Sequence, residues 1–427
     1  MTDRIAEYEG GQQARLERGA GGGQRTAWII TFTPAADEPR VVRQAQALMT
    51  AGWQVVVCGY DGRCLRPPDW HFVRLSNAGY SSGRAIQRDG FRRRFGHSIA
   101  KTGIVPGVAA RLIYNSLPNW RLDAAEIVRI AAANRDLTPS LVIAHDNQTC
   151  PPAAELARRY GAKVIVDSHE YMLGALPEEP AWVKHQRPFI KVMQDHYFTR
   201  ADQVVTVSDG IAERLTAEHN LKRPARVIRS MPFFEPLDFR PTGPLRTVLY
   251  HGIVTPFRNL ETAIEAAALW REDTHLVIRG PGEAAYLASL RALVAERNLG
   301  QRVRIEAPAL YSELLKRANE ADIGYFVYAD GSPQRRYVLP NKFFEYTMAG
   351  LALVTSDLPE MAALLARHGH GRTVARVDPE TVRAAIDGLS NAEIDAYKTA
   401  ALAAARQLCW EREQGRLLSI VEDLCGH

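Results

Sequence analysis

The sequence predicts an α/β protein folded as two doubly wound parallel sheets. Short apolar runs alternate with stretches of helical period, the pattern expected of strands covered on both faces by helices. The alternation stops once, at the Pro-rich stretch RSMPFFEPLDFRPTGPLR (229–246), and then restarts. The length of 427 residues exceeds one ordinary hydrophobic core and suits roughly two or three domains.

In the first half, TAWIITF reads as a strand and EPRVVRQAQALMTAG as a helix closed by Gly52, with WQVVVCGY as the next strand. SLVIAHDN, AKVIVDSHE and DQVVTVSDG continue the series, separated by a helix over PPAAELARRYG and a long helical region at 181–200. After the break, TVLYHG, HLVIRG, VRIEAP, IGYFVY and ALVTSD are the strands of the second half, with helices at 257–270, 284–298, 311–319 and across PNKFFEYTMAG. Helices at 359–368, 379–389 and 391–408 precede a closing WEREQGRLLSIVEDL. The expected division is a polar, Gly-rich tail over 1–24, a first domain over 25–240, a second over 241–408, and a terminal helix over 409–427.

Composition narrows the functional classes. Hydrophobic residues at 46% and charged residues at 24% describe an ordinary globular chain. Five scattered cysteines form no C-x-x-C pair, so neither a disulfide framework nor a thiolate zinc site is expected, and the compartment reads as a reducing cytoplasm. No stretch of about 18 apolar residues is present, and the first residues carry no apolar signal core. The net charge of +5 is mild, but arginines concentrate in residues 83–120 around Arg92, Arg93 and Arg94. With Phe91 and Phe95 nearby, that segment suits an anionic membrane face or a phosphorylated acceptor, so the chain is expected to sit in the cytoplasm and to be able to lie peripherally on the membrane's inner face. No nucleic-acid motif accompanies the patch, and nucleic acid is not an expected partner.

In doubly wound sheets, ligands gather at the carboxyl ends of the strands. The residues there include His145, His169 and Glu170 in the first half, and Gly252, the Gly280-Pro-Gly282 turn and Asp330 in the second. Glycines at a strand-to-helix turn let backbone amides approach a phosphate, although a tight turn alone also selects Gly. No G-x-G-x-x-G follows the first strand, which disfavours a nicotinamide or flavin site. Arg258 and Lys342 each follow a strand-end loop and could meet a diphosphate. Glu345 stands among aromatic and small apolar residues, where a carboxylate needs either solvent or a partner. Hydrogen bonds from a ribose would satisfy it.

From about residue 26 to the C-terminus the chain resembles the GT-B glycosyltransferases, specifically the retaining nucleotide-sugar enzymes of glycosyltransferase family 4. The resemblance rests on ADIGYFVYADGSPQRRYVLPNKFFEYTMAGLALVTSDLPEM, supported by LYHGIVTPFRNLETAIEA, ADQVVTVSDGIAERL and the closing CWEREQGRLLSIVEDL. It implies two Rossmann-like domains facing a cleft and transfer of a sugar, hexosyl in type, from a nucleotide-diphosphate-sugar. The acceptor would be a glycan or a lipid-linked molecule of cell-surface polysaccharide or glycoconjugate assembly, bound by the first half. It assigns the ribose to Glu345, the diphosphate to Arg258 and the donor sugar to His169. No cofactor or metal is expected, because no D-x-D occurs in the chain. Two positions depart from the family pattern: Tyr337 replaces the first Glu of Glu-x7-Glu, and Ile253 replaces an Arg of the phosphate clamp. Lys342, Arg335 or Arg336 is expected to supply the missing cation, and Asn341 with nearby amides the missing sugar contact. The competing readings are a nucleotide-sugar epimerase of the same architecture and a non-catalytic sugar-nucleotide-binding protein.

Overall fold

The computed structural model describes residues 25–62, 70–75 and 118–426. The tail 1–24 and the candidate membrane or acceptor patch at Arg92, Arg93 and Arg94 lie outside the described residues.

Two parallel sheets form. The first contains β1 (Thr26–Pro34), β2 (Gln54–Tyr60), β3 (His71–Arg74), β4 (Leu141–His145), β5 (Lys163–Asp167), β6 (Gln203–Thr206) and β7 (Arg226–Val227), in the order β3-β2-β1-β4-β5-β6-β7. The second contains β8 (Arg246–His251), β9 (Thr274–Arg279), β10 (Val303–Glu306), β11 (Ile323–Phe326), β12 (Ala352–Ser356) and β13 (Gly371–Val374), in the order β10-β9-β8-β11-β12-β13. The strand order reverses between β1 and β4 and again between β8 and β11. Connections on either side of such a switch point leave to opposite faces, which opens a crevice beyond the strand ends. By contact density the chain divides into two compact units: residues up to Asp167 with Arg200–Asp202 and the stretch from Ile420, and Ser168–Thr199 with Gln203–Ser419.

In the first unit β1 is the central strand, and Ala27, Trp28, Ile29 and Ile30 have no exposed surface. Trp28 keeps its ring buried because its Nε1 donates to the Leu137 carbonyl at 2.7 Å. The helix Pro39–Thr50 starts at Pro39, whose missing N–H costs nothing in the first turn. It places Arg40 and, one turn on, Gln44 on the same face, and both donate to the carboxylate of Asp167 at the end of β5. Asp146, directly after β4, holds φ 62° and ψ 171°, a region that non-Gly residues occupy at a cost of about 1–3 kcal/mol. Its N–H donates to the Asp167 carbonyl at 2.9 Å.

In the second unit the helix Asn341–Met348 lays Phe343, Phe344, Tyr346 and Met348 into the core without exposed surface. It ends at Gly350, whose φ of 69° is the left-handed conformation that closes many helices. Two expectations change in detail. The helical region at 181–200 is two helices, Pro180–His185 and Arg187–Phe198, because Pro188 has no N–H with which to continue the first. The strands β3, β7 and β13 are additional; each is four residues or shorter and only partly buried, so it carries too few apolar residues to stand out. The start of the last helix, Trp410–Cys425, is tied to the Pro-rich break: Trp410 N–H donates to the Pro232 carbonyl at 2.8 Å, and Glu413 accepts from Arg229 N–H at 2.7 Å.

Candidate active site

The site grows from the carboxyl ends of β8 and β11 and the start of the helix Asn341–Met348, all within the second unit. Pro340 caps that helix without a side-chain hydrogen bond, which leaves Asn341 exposed at the first position and Lys342 at the second. Glu345 follows one turn later and is held from below. His251, the last residue of β8, sets Nε2 2.9 Å from Glu345 Oε2, and the side chains are 2% and 18% exposed respectively. His251 is fixed in turn, because its N–H donates to the Tyr346 hydroxyl at 2.8 Å and its ring packs against Tyr346 at 4.5 Å. The carboxylate asked for by the sequence is therefore gripped by a histidine on one side and remains partly open on the other.

Lys342 is buried, yet among the described residues no carboxylate lies within ion-pair distance of it. Its Nζ sits 3.1 Å from the Tyr250 hydroxyl, and 4.1 Å and 4.6 Å from the ring centroids of Tyr250 and Phe326. Burial holds the amine well below its ordinary value, the neighbouring Arg258 guanidinium pushes the same way, and Glu345 opposes both. Burial also pushes the Tyr250 phenol up to about 12, against a smaller opposite pull from Arg258. Arg258 ends the short turn Pro256–Arg258, with Asn259 in the left-handed region at φ 51° redirecting the chain into the next helix. Its guanidinium lies 5.6 Å from the centroid of the same Phe326 ring that receives Lys342. The two basic groups thus share one aromatic ring, and neither is paired with a carboxylate among the described residues.

The glycines have a packing reason. A Cβ on Gly280 would stand 1.9 Å from the Gly252 carbonyl oxygen, and one on Gly282 2.8 Å from the Val254 carbonyl oxygen. Gly252 N–H donates to the Arg279 carbonyl at 3.0 Å and Val254 N–H to the Pro281 carbonyl at 2.8 Å. The loops after β8 and β9 therefore lie backbone against backbone. Gly252 itself has φ 113°, and a Cβ there would meet Lys342 Nζ at 3.1 Å.

Tyr337, at the position of the family's first Glu, is occupied by packing. Its carbonyl accepts from Ser208 Oγ at 2.7 Å, and its ring lies so close to Gly210 that a Cβ there would meet it at 2.1 Å. Arg214 stacks on the ring at 4.7 Å and donates to the hydroxyl at 3.1 Å. Arg336 is exposed and paired with Asp330 at 2.8 Å, so it does not join the other cations. Arg335 does turn inward. A cavity of about 310 Å³ is lined by Arg335 and Arg258 together with Glu170, Thr255, Phe257 and Tyr328. His169, next to Glu170, is half-buried. His145 belongs to the first unit, where it ends β4 buried and in register with Asp167.

The arrangement thus unites Gly252, Arg258, Lys342 and Glu345, and it brings Glu170 and Arg335 to one cavity with Arg258. Sequence reasoning did not single out His251, Tyr250, Phe326 or Phe257. The available signal was an aromatic or histidine residue at the end of each strand flanking the second switch point.

No curated protein gives a significant sequence match. Residues 38–230 match the family described as glycosyl transferase 4-like domain, and residues 246–392 match the one described as glycosyl transferases group 1. The fold is similar to that of sucrose-phosphate synthase from Thermosynechococcus elongatus, with a TM-score of 0.68, 15% identity, and coverage of 94% of this chain and 99% of the other. Anabaena HepE in complex with UDP and glucose gives a TM-score of 0.66 at 9% identity, covering 94% of this chain and all of the other, 100%. WaaG, a glycosyltransferase involved in lipopolysaccharide biosynthesis, gives 0.61 at 11% identity, covering 93% and 99%. Two matched domain families in succession along one chain, carried by two parallel doubly wound sheets, place the protein among the GT-B glycosyltransferases of the family 4 type.

Proposed function

We propose that the protein transfers a hexosyl group from a nucleoside-diphosphate-sugar to a glycan or lipid-linked acceptor, with retention of anomeric configuration and without a metal ion. The observation that carries this reading is the pair of basic side chains without a carboxylate partner among the described residues, Lys342 and Arg258, on the Phe326 ring beside a carboxylate, Glu345, anchored by His251. A diphosphate needs cations that are not already neutralised, and a ribose offers two hydroxyl donors to a carboxylate. Anabaena HepE, solved with UDP and glucose, lends support to a uridine donor, and the likeness to WaaG to an acceptor in surface-glycoconjugate assembly.

In this reading the residues have separate tasks. Glu345 accepts from the ribose hydroxyls and fixes the nucleotide along the start of its helix. Arg258 and Lys342 bind the diphosphate, and as the bond to the anomeric carbon lengthens they stabilise the negative charge accumulating on it. These cations are already placed, so little reorganisation accompanies the reaction. His169 contacts the donor sugar, and Asn341, exposed at the first position of the helix, substitutes for the sugar contact that Tyr337 does not offer.

The test is a thermal-shift and turnover screen across UDP-, GDP-, ADP- and dTDP-sugars with and without EDTA, with the anomeric configuration of the product read by NMR. A donor present far above its Kd should raise the melting temperature by mass action, and an α-linked donor should give an α-linked product in EDTA. A β product or absolute metal dependence would sink the mechanism. Interconversion of the donor without acceptor would favour an epimerase, and tight binding without turnover a non-catalytic binding protein.

A further inference from the structure

The diphosphate reading uses Arg258 and Lys342 but leaves a third cation unexplained. Arg335 lines the same cavity of about 310 Å³ as Arg258. Its guanidinium forms no hydrogen bond among the described residues, and its ion pair there is a long, solvent-facing one, to Glu178 at 4.0 Å with that side chain half exposed. The guanidinium is nevertheless well placed. It lies 5.5 Å from the centroid of the Phe257 ring, and it packs so closely over Gly331 that a Cβ there would meet Nη1 at 2.7 Å. Its own backbone N–H is capped by Ser332 Oγ at 3.2 Å, and its carbonyl accepts from the Tyr328 hydroxyl at 3.1 Å. The neighbouring Arg336 shows the alternative fate of a surface arginine here, an ion pair to Asp330 at 2.8 Å. Phe257 is 60% exposed, and the guanidinium covers part of its ring.

Arg335 does not share the Phe326 ring that unites Arg258 with Lys342, and Lys342 does not line the cavity. Arg258 is the common member of two cation pairs. The wall also carries Glu170, so the cavity does not attract negative charge indiscriminately; an anion must reach the guanidiniums and keep clear of that carboxylate. We propose that Arg335, seated on Phe257, forms a second anion subsite that recognises a phosphate or carboxylate on the sugar side of the reaction, separate from the diphosphate of the donor. The ligand class is a phosphorylated or carboxylated sugar, carried either by the acceptor or by the donor's own hexose. This inference rests on the donor reading above.

The experiment uses the full chain and Arg335→Gln, Arg335→Lys and Arg258→Gln variants in calorimetry. UDP, ADP, GDP and dTDP are titrated first. With the tightest of them saturating, glucose 6-phosphate is compared with glucose as the acceptor arm. UDP-glucuronate is compared with UDP-glucose as the donor arm. In the wild type the anionic member of one pair should bind at least about tenfold tighter than its neutral partner, in line with a charge-assisted hydrogen bond. Arg335→Gln should erase that preference while changing nucleoside diphosphate affinity less than about twofold, and Arg335→Lys should retain part of it. Arg258→Gln should instead weaken the nucleoside diphosphate. Equal affinities within both pairs in the wild type would overturn the subsite. A loss of nucleoside diphosphate affinity in Arg335→Gln as large as that in Arg258→Gln would also overturn it, by making Arg335 part of the diphosphate clamp. Failure of every nucleoside diphosphate to bind would overturn the donor reading and the subsite together.

Discussion

The ends of β5 and β11 each collect cationic side chains, and they treat them in opposite ways. At β5, Arg40 lays Nε and Nη2 on the two oxygens of Asp167, both at 2.8 Å, with Gln44 adding a third donor; the ion pair is almost fully buried, at 3% and 0% exposure. At β11, Lys342 and Arg258 share the ring of Phe326 with no carboxylate in ion-pair range among the described residues, and Arg335 lies on Phe257 with only a long ion pair, to Glu178. The first arrangement is a satisfied ion pair: removing one partner leaves a charge buried. The second is open, since Arg258 and Lys342 are stacked or buried without a carboxylate in ion-pair range among the described residues, and an anion bound there would favour the charged form of Lys342. The presence of unmet positive charge, rather than the number of charged residues, is what singles out the candidate ligand site.

The contrast can be broken most severely at Arg40. Replacing it by Met should destabilise the fold by about 3–5 kcal/mol, as expected when one member of a buried pair is removed. Urea denaturation measures this, and unchanged stability would show that Asp167 has other support sufficient to make the pair dispensable. At the open end, Arg258→Gln should leave stability nearly intact while lowering turnover about a hundredfold, near 3 kcal/mol, with a smaller loss in donor affinity, because charge on the leaving diphosphate grows in the transition state. Steady-state kinetics beside calorimetry separates the two effects, and equal losses would mean uniform binding instead. Next in size, Glu345→Ala should weaken nucleoside diphosphate binding by about 1.5–3 kcal/mol through lost charge-assisted hydrogen bonds. The same titration with unchanged affinity would remove Glu345 from the ribose.

The smallest change sharpens the comparison by its sign. Lys342→Met should stabilise the free protein by about 1–2 kcal/mol at neutral pH, since it exchanges a buried amine without an anionic partner for an apolar chain. Donor binding should weaken at the same time. The pH dependence follows from the depressed value of Lys342 in the fold. Between that value and the ordinary lysine range the unfolded chain binds more protons than the folded one, so wild-type stability rises with pH through the window. The advantage of the Met variant should therefore shrink as pH climbs toward about 10, the ordinary range for lysine. Melting curves of both proteins across pH 7–10 test this, and a constant gap would place Lys342 protonated in the fold at every pH.

How far the sequence could be read depended on range. The alternation of β-rich runs and helical stretches is local, and it located the strands that are buried along their length, including those ending at His145, Asp167, His251 and Phe326. Glu345 could be singled out because a carboxylate beside Phe343, Phe344 and Tyr346 conflicts with its neighbours within one turn. Short strands such as β7, with two residues, were illegible because so few positions carry no periodicity. The partner of Glu345 was equally hidden: His251 is 94 residues away, and nothing in YHG distinguishes a histidine that holds a carboxylate from one that merely ends a strand.

By itself the sequence determined the two doubly wound halves, the break between them and the candidate donor residues, because hydrophobic period and strand-end position are properties of neighbouring residues. Tertiary structure decided which charges are answered. Asp167 consumes Arg40 across 127 positions, Asp330 consumes Arg336 across six, and Tyr337 is drawn into contact with Gly210 and Arg214. Arg258 and Lys342 are left facing the Phe326 ring, and Arg335 faces Phe257 with only the long ion pair to Glu178. A side chain's net electrostatic surroundings depend on every element folded against it and fall off over a few ångströms, so pairing is a property of the packed molecule that no local pattern encodes.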